Sequence, residues 1–525
     1  MNLLRQNLDY LALYLKDLGV ESVVVSPGSR NAPIIAAFLR VGGFQLVSAP
    51  DERSAGFMAM GMGQAQAKPA AVLCTSGTAA ANLLPAICEA YYQRVPLLAI
   101  TADRPPEWID QWDGQTIRQK GLFHTHVCGE FETPANLHLS DGKSLLAEIC
   151  KLVWENCTIP HGGPVHLNIP LAEPLYEGLD QPLPVHDKLE FHQKPAVTDP
   201  VSLPEALKHS KKVLIVAGQH KPNAAWAKAA GPAALKFPLL ADICSNLHGI
   251  AALHTYSEVA AKAGPELQPD ILVTFGLSIL SKNLKQYLRR HKPLKHYHIN
   301  EGGAVGDPFQ SMPETLRVSE TVFLQALSSL TPDPEYRVKW VQACREAKTA
   351  LRPNTEAGAV NQVLETAGPQ THIHLGNSMA VRWADQTGLS GAAGIWCNRG
   401  TSGIDGSLST AAGFALAHPE SAVVAVLGDI SVLYDEHGFW SNPQPQNLKV
   451  VVLNNGGGQI FTRIAGPSRM PELLPWLQTT HHTNFETVAN RYGLTYFQSN
   501  PDTLNTLLQQ NGPLLIEIPC HNAQP

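Results

Sequence analysis

The chain of 525 residues predicts an α/β architecture: three doubly wound, parallel-sheet domains. Three observations predict it. Short runs of β-branched and apolar residues alternate with helical patterns from end to end, as strand–crossover–strand units of a parallel sheet do. The length exceeds what one hydrophobic core organises, so about three domains are expected. Two stretches carrying proline among polar residues, 173–200 and 329–336, divide the chain into blocks of similar size. The expected domains are therefore 1–180, 195–335 and 350–525.

In the first block, Met1-Asn2-Leu3-Leu4-Arg5 begins an amphipathic helix rather than a signal peptide. A strand at 23–26 runs into Pro27-Gly28-Ser29-Arg30 and a helix. A short strand at 44–47 precedes Asp51-Glu52-Arg53 and a helix. A strand at 70–75 leads through Ser76-Gly77-Thr78 into a helix reaching about residue 92. Further strands fall at 97–101 and 165–169. The middle block has strands at 213–217 and 271–275. The last block has strands near His372, Ile395, Val423, Val450 and Leu514.

Composition excludes several classes. Hydrophobic residues make up 44% and charged residues 16% of the chain, which suits large buried cores. No apolar run approaches the roughly 20 residues of a membrane span, so membrane insertion is not expected. The net charge of −6, with no long basic run, argues against nucleic acid. Nine scattered cysteines without a Cys-x-x-Cys pair point to a reducing, cytoplasmic setting, not to zinc or a disulfide framework.

The most informative pattern lies in the last block. Gly428-Asp429 closes one apolar run, and Asn454-Asn455 closes the next, 26 positions on. If both runs are parallel strands, Asp429 and Asn455 lie side by side at the carboxyl edge of the sheet, where ligands bind. A carboxylate, an amide oxygen and nearby carbonyls form a hard oxygen site. That site suits Mg²⁺, which takes few protein ligands and fills its shell with diphosphate and water. The same residues also favour ordinary strand-end turns.

Arg30, Arg104 and Arg399 each sit in a Gly/Pro-rich turn directly after a predicted strand. The guanidinium fork pairs bidentately with carboxylates, so three converging arginines imply polyanionic substrates. Structural ion pairs, with Asp103 or Asp405 for instance, explain any one of them. Ser431 at a helix start can donate to a phosphate oxygen. Asn377 and Ser378 can do likewise, or act as an ordinary helix cap.

The segments Ser26-Pro-Gly-Ser-Arg30, Asp51-Glu-Arg53, Thr75-Ser-Gly-Thr78, Thr101-Ala-Asp-Arg-Pro-Pro-Glu107 and Gln115-Thr-Ile-Arg-Gln119 carry a resemblance. Gly376-Asn-Ser378, Asn398-Arg-Gly-Thr-Ser-Gly-Ile-Asp-Gly406 and residues 454–461 complete it. Together they resemble the 2-succinyl-5-enolpyruvyl-6-hydroxy-3-cyclohexene-1-carboxylate (SEPHCHC) synthase family of the thiamine-diphosphate (ThDP)-dependent decarboxylase superfamily. The likeness spans most of the first and last domains and is weak in the middle one.

The resemblance implies a transferase of the ThDP carboligase class that uses ThDP and Mg²⁺ (or Mn²⁺). It implies decarboxylation of 2-oxoglutarate and conjugate, Stetter-like addition of the succinyl unit to isochorismate, in menaquinone or phylloquinone biosynthesis. The first domain is then pyrimidine-binding and the last diphosphate-binding. Those halves meet across subunits, so a homodimer or dimer of dimers is implied.

Residue by residue, the resemblance makes Glu52 the partner of the pyrimidine nitrogen. In an apolar cleft such a carboxyl has a raised pKa suited to sharing a proton; alone, it also reads as a solvated acid in a first helical turn. Small neighbours Ala55, Gly56, Ala59 and Gly61 would allow close packing near a bound ring. Asp429, Asn455 and the Gly457 carbonyl are the implied metal ligands. Ser76, Gly77, Asn377, Ser378, Ile404, Gly428, Ser431 and Ile460 complete the cofactor set, Ile404 being the cofactor wedge or plain core. Ser29, Arg30, Arg104, Gln115, Lys282, Arg399, Ile460 and Phe461 form the substrate set. Arg30, Arg104, Gln115 and Arg399 join Glu52 as the catalytic group. Beside Lys282 the chain has Asn283, where relatives often carry Arg.

Other features read as structure. His124-Thr-His126 and His481-His482 are expected to be polar or surface histidines. Trp108, Trp112, Trp440 and Trp476 are expected to pack, and Cys74 and Cys397 to be small buried groups.

Overall fold

The computed structural model describes residues 3–137, 142–158, 162–177, 182–190, 202–302, 305–347, 355–388, 390–463 and 466–520. The first expected linker, 173–200, falls partly outside them. The chain builds three all-parallel sheets with interleaved helices, the predicted fold class.

The first sheet contains β1 (Ser22–Val25), β2 (Gln45–Ser48), β3 (Ala70–Cys74), β4 (Leu97–Asp103), β5 (Gly129–Glu132) and β6 (Val165–Pro170), in the order β2-β1-β3-β4-β6-β5. The second contains β7 (Val213–Ala217), β8 (Leu239–Ala241), β9 (Ile271–Phe275), β10 (Lys295–Ile299) and β11 (Glu314–Leu316), in the order β11-β10-β9-β7-β8. The third contains β12 (Thr371–Leu375), β13 (Gly394–Cys397), β14 (Ala422–Gly428), β15 (Leu448–Asn454), β16 (Thr495–Gln498) and β17 (Leu514–Pro519), in the order β13-β12-β14-β15-β17-β16. The central strands are apolar on both faces, as helix-covered parallel strands require; β3, β7 and β15 are buried along their whole length.

The sequence reading places a single helix after Thr78. The structure divides it into Thr78–Asn82 and Leu84–Gln93. Pro85 lacks an N–H and cannot continue the preceding turn, but suits the start of the second helix.

Glycine does the joining between the first and third domains. The helix Glu52–Gln66 lies against the helix Ser407–Ala417 of the last domain. A Cβ on Gly61 would collide with the Thr410 carbonyl oxygen, and one on Gly413 with the Met58 carbonyl oxygen. A Cβ on Gly56 would come within 2.8 Å of the Ala86 Cβ. Gly56 and Gly61 therefore serve helix-on-helix contact. Phe57, Met58, Leu408 and Phe414 close the shared core. Asp435 is sealed into this junction, accepting from the Ser409 N–H at 2.7 Å; burial pushes its carboxyl up to about 7.

The second sheet changes direction between β7 and β9, where an open α/β sheet has its ligand crevice. Here that crevice is closed by backbone. A Cβ on Gly218 would lie 2.7 Å from the Leu277 carbonyl oxygen, and one on Gly276 (φ +72°) 2.6 Å from that of Gln219. The Gln219 amide instead reaches out to the other two domains, donating to Gln93 Oε1 at 2.9 Å and to the Cys397 carbonyl at 3.0 Å.

Candidate active site

Strands β14 and β15 are neighbours, with Gly428 opposite Leu453. The turns that follow them therefore meet. Asp429 is the first residue of the helix Asp429–Tyr434 and is buried. Its Oδ1 accepts from the Ile430 N–H at 2.7 Å. Its Oδ2 accepts from the N–H groups of Asn455 (3.1 Å) and Gly457 (3.0 Å). Asn455 Oδ1 accepts from Gly457 N at 3.2 Å, and its amide nitrogen donates to Glu356. The carboxylate, the amide oxygen and the Gly457 carbonyl thus belong to one tight loop. This is a donor set of hard oxygens, which fits Mg²⁺ or Mn²⁺.

Gly457 has φ +146°, and a Cβ there would lie 2.7 Å from the Gln478 carbonyl oxygen, so the loop needs glycine. A Cβ on Gly428 would meet nothing within 4 Å, leaving room beside Asp429. Ser431 lies buried in the first turn of the same helix. Ile404, Ile460 and Phe461 are half-buried.

Of the two expected kinds of histidine, His481 is the polar one: the segment after Asn455 folds back, with His481 N donating to the Gly456 carbonyl at 3.3 Å. This brings His481 Nε2 to 3.2 Å from Asp429 Oδ2. Asn377 does not offer a free amide to a phosphate. Its Nδ2 donates to the carbonyls of Asn398 (2.6 Å) and Gly403 (2.7 Å), while its Oδ1 accepts from Arg399 Nη1 at 3.0 Å. Asn377 is a strut for the loop carrying Arg399. Ser378 caps the next helix by position, at φ +73°, without a side-chain capping bond.

The arginines form two groups rather than one. Arg30 is buried and donates to the Leu171 carbonyl at 2.8 Å and to Glu173 at 3.3 Å. Arg104 approaches the same Glu173 oxygen at 3.9 Å and Asp113 at 3.3 Å. Burial, then the Arg104 charge, lowers the Arg30 pKa. Ser29 is exposed beside them. Gln115, at φ +54°, lies with its backbone across Gly77, where a Cβ would come within 3.1 Å.

Beneath these residues runs a buried network that sequence reasoning missed. Gly77 N donates to Gln119 Oε1 (2.9 Å), and Gln119 Nε2 to Asn168 Oδ1 (2.9 Å). Asn168 donates in turn to Asp103 (2.8 Å), which accepts from Arg104 N (2.7 Å). Gln119 and Asp103 both stand inside the recognised motifs, which was the available signal. Ser76 is buried with its hydroxyl unpartnered.

Arg399 belongs to the second group. Its Nε is buried and unpartnered. Arg382, one helical turn after Ser378, and Lys285 both face it: burial first, then the Arg399 charge, lowers each pKa. The Ile243 N–H donates to Asp385 at 3.1 Å and docks this edge of the middle domain on the Arg382 helix; within the middle domain, Leu280 N donates to Asp242 at 2.6 Å. Lys282, the lysine singled out from sequence, is exposed. Lys285 is one turn further along the same helix and was not singled out from the sequence. Lys285→Ala is expected to raise the KM of one substrate about tenfold or more, as loss of a charged contact does, and more than Lys282→Ala; steady-state kinetics of the two variants check this.

Glu52 opens the helix Glu52–Gln66, capped by Asp51, whose Oδ1 accepts from Ser54 N at 3.0 Å. Glu52 Oε2 accepts from Asn82 Nδ2 at 3.2 Å. Its cavity is lined by Pro50, Asp51, Arg53, Asn82, His437 and Trp440. Asp51 Oδ2 meets His437 Nδ1 at 2.7 Å. Arg53 donates to the carbonyl of Tyr434 at 3.0 Å. Glu52 and Asp429 thus sit at opposite ends of the helix Asp429–Tyr434, and Asp429, Asn455 and Gly457 are absent from the described lining of the Glu52 cavity.

The four tryptophans expected to pack are exposed in the single chain: Trp108 50%, Trp112 100%, Trp440 51% and Trp476 84%. None of the nine cysteines forms a disulfide, and Cys74 and Cys397 are buried as expected. Among the described residues, no cluster of three or more His, Cys, Asp or Glu side chains is arranged to hold a metal, and no helix is long and apolar enough to cross a membrane.

Residues 6–122 match the family model described as "Thiamine pyrophosphate enzyme, N-terminal TPP binding domain", and residues 377–518 match its C-terminal TPP-binding counterpart. With three parallel sheets and the Asp429–Asn455 loop at the edge of the last, the chain is a thiamine-diphosphate enzyme. Similarity along the whole chain narrows this. A 2-succinyl-5-enolpyruvyl-6-hydroxy-3-cyclohexene-1-carboxylate synthase of Cytophaga hutchinsonii is 38% identical, covering 94% of this chain and 91% of its own. Proteins of the same name from Bacteroides fragilis (35% identical; 94% and 90% covered) and Desulfotalea psychrophila (34%; 98% and 98%) agree. The chain belongs to the SEPHCHC synthase family.

Proposed function

We propose that the chain decarboxylates 2-oxoglutarate and adds the resulting succinyl unit to isochorismate, releasing SEPHCHC and carbon dioxide on the route to menaquinone or phylloquinone. The Asp429–Asn455–Gly457 oxygen set at the carboxyl edge of β14 and β15 carries this reading. The relatives' printed name supports the product, and the two cationic groups support substrates with two carboxylates each.

Asp429, Asn455 and the Gly457 carbonyl would hold Mg²⁺ (or Mn²⁺), with Ser431, Ser378 and the space beside Gly428 available to the diphosphate. Bound ThDP supplies the electron sink that decarboxylation needs. The chain supplies the rest. Glu52 holds a proton at its carboxyl oxygen for exchange with the pyrimidine nitrogen. Arg30 and Arg104 bind carboxylate on one side; Arg399, Arg382 and Lys285 bind it on the other. Gln115 adds a polar contact. Ile404, Ile460 and Phe461 exclude water, which strengthens every charge contact inside.

In one chain Glu52 and Asp429 face different surroundings, so a complete site takes Glu52 from one subunit and Asp429 from another. A cytoplasmic homodimer, or a dimer of dimers, follows, and the exposed Trp108, Trp112 and Trp440 supply apolar surface for it.

Mass spectrometry of the products tests the reading, with ThDP, Mg²⁺, 2-oxoglutarate and isochorismate each omitted in turn. The expected result is an isochorismate adduct bearing a succinyl unit that requires all four. Carbon dioxide without the adduct moves the chain to another carboligase of the class. No turnover despite measured ThDP binding makes it a ThDP-fold scaffold.

A further inference from the structure

Glu89 is a buried carboxylate of the first domain, 1% exposed, with no cation against it among the described contacts. All its partners are neutral donors. Its Oε1 accepts from Gly400 N at 2.6 Å and from Gln93 Nε2 at 2.6 Å. Its Oε2 accepts from both the N–H (2.7 Å) and the hydroxyl (2.5 Å) of Thr401. Gly400 and Thr401 belong to the last domain and directly follow Arg399. A Cβ on Gly400 would lie 2.7 Å from the Glu89 carbonyl oxygen, so the contact is backbone-close.

The other side of Arg399 is held as well. Gln219 of the middle domain donates to the Cys397 carbonyl at 3.0 Å and to Gln93 Oε1 at 2.9 Å. Arg399 N donates to the same Cys397 carbonyl at 2.8 Å. Residues 397–401 are therefore gripped by side chains of all three domains, and Glu89 supplies three of the bonds. A carboxylate taken out of water demands such donors, so the grip is stiff and allows one geometry of the loop.

We propose that Glu89 is a positioning residue for Arg399: it fixes the loop from which the guanidinium reaches a substrate carboxylate. This rests on the reading of Arg399 as a substrate clamp. A guanidinium displaced by about 1 Å loses its bidentate alignment, and misplacement of that size costs up to about 100-fold.

The test uses the ThDP- and Mg²⁺-loaded enzyme and compares Glu89→Gln, Arg399→Gln and the double variant, with thermal midpoints recorded in parallel. The amide in Glu89→Gln turns a donor toward one of the loop N–H groups. Its expected effect is a rise of about 10- to 100-fold in KM for whichever substrate Arg399→Gln affects, with a much smaller change in kcat. The double variant should be no worse than Arg399→Gln alone. Thr401→Val removes only one donor and should raise the same KM by less, which keeps the test available if Glu89→Gln does not fold. Additive losses, or a fall in kcat with both KM values unchanged, overturn the proposal. Unchanged KM values in Arg399→Gln overturn the clamp reading beneath it.

Discussion

Glu52→Gln is expected to lower kcat by about 100- to 10,000-fold, the usual contribution of a positioned acid–base group. The substitution keeps size and shape. The amide oxygen still accepts from Asn82, so the bond now at 3.2 Å survives. The Asp51 cap on Ser54 and the glycine-mediated seat of the helix on the last domain are untouched. What disappears is the ability to hold and return a proton. ThDP affinity, read by fluorescence quenching, and the thermal midpoint should therefore stay close to those of the parent while turnover collapses. A kcat equal to the parent's would remove Glu52 from the chemistry.

Asp429→Asn is expected to strike binding instead. The carboxylate organises three backbone N–H groups, those of Ile430, Asn455 and Gly457. An amide has one acceptor where the carboxylate has two, and its NH₂ would face a donor. It also removes the single negative charge among the three proposed metal ligands. Loss of one charged contact is worth about 3 kcal/mol, or about 100-fold in affinity. ThDP titrations in excess Mg²⁺ should show that weakening. The same titrations in chelator should show little difference from the parent. Equal affinities in Mg²⁺ would mean that the oxygen set does not hold the metal.

Much of this architecture is legible in the sequence because central parallel strands are apolar on both faces. The runs that became β3, β4, β7, β9, β14 and β15 stand out for that reason. Five strands were not legible. β8 and β11 have three residues each; β5 and β16 are polar sheet edges. β10 mixes lysine and histidine with apolar residues, and His296 and His298 are buried only because Thr274 on the adjacent strand hydrogen-bonds both at 2.9 Å. The pairing of Asp429 with Asn455 was readable because strand ends and parallel register are local consequences of pattern. Glu89, Arg382 and Lys285 were not, because each acquires meaning only when domains dock. The three arginines look equivalent along the chain, yet only the tertiary fold reveals that Glu173 ties two together while Arg399 answers to the middle domain. The strut role of Asn377 and the partner of His481 were not legible for the same reason: a strut and a return loop have no sequence signature.

The separation of Glu52 from Asp429 at the two ends of one short helix has a genetic consequence. If each cofactor is bracketed by Glu52 of one chain and Asp429 of another, a chain with Glu52→Gln and a chain with Asp429→Asn carry different halves of the defect. Co-expressed, they form mixed dimers in which one site inherits both lesions and the other inherits neither. Two null alleles would then complement each other within a single gene, restoring up to one working site per mixed dimer. Two alleles damaged in the same half would not.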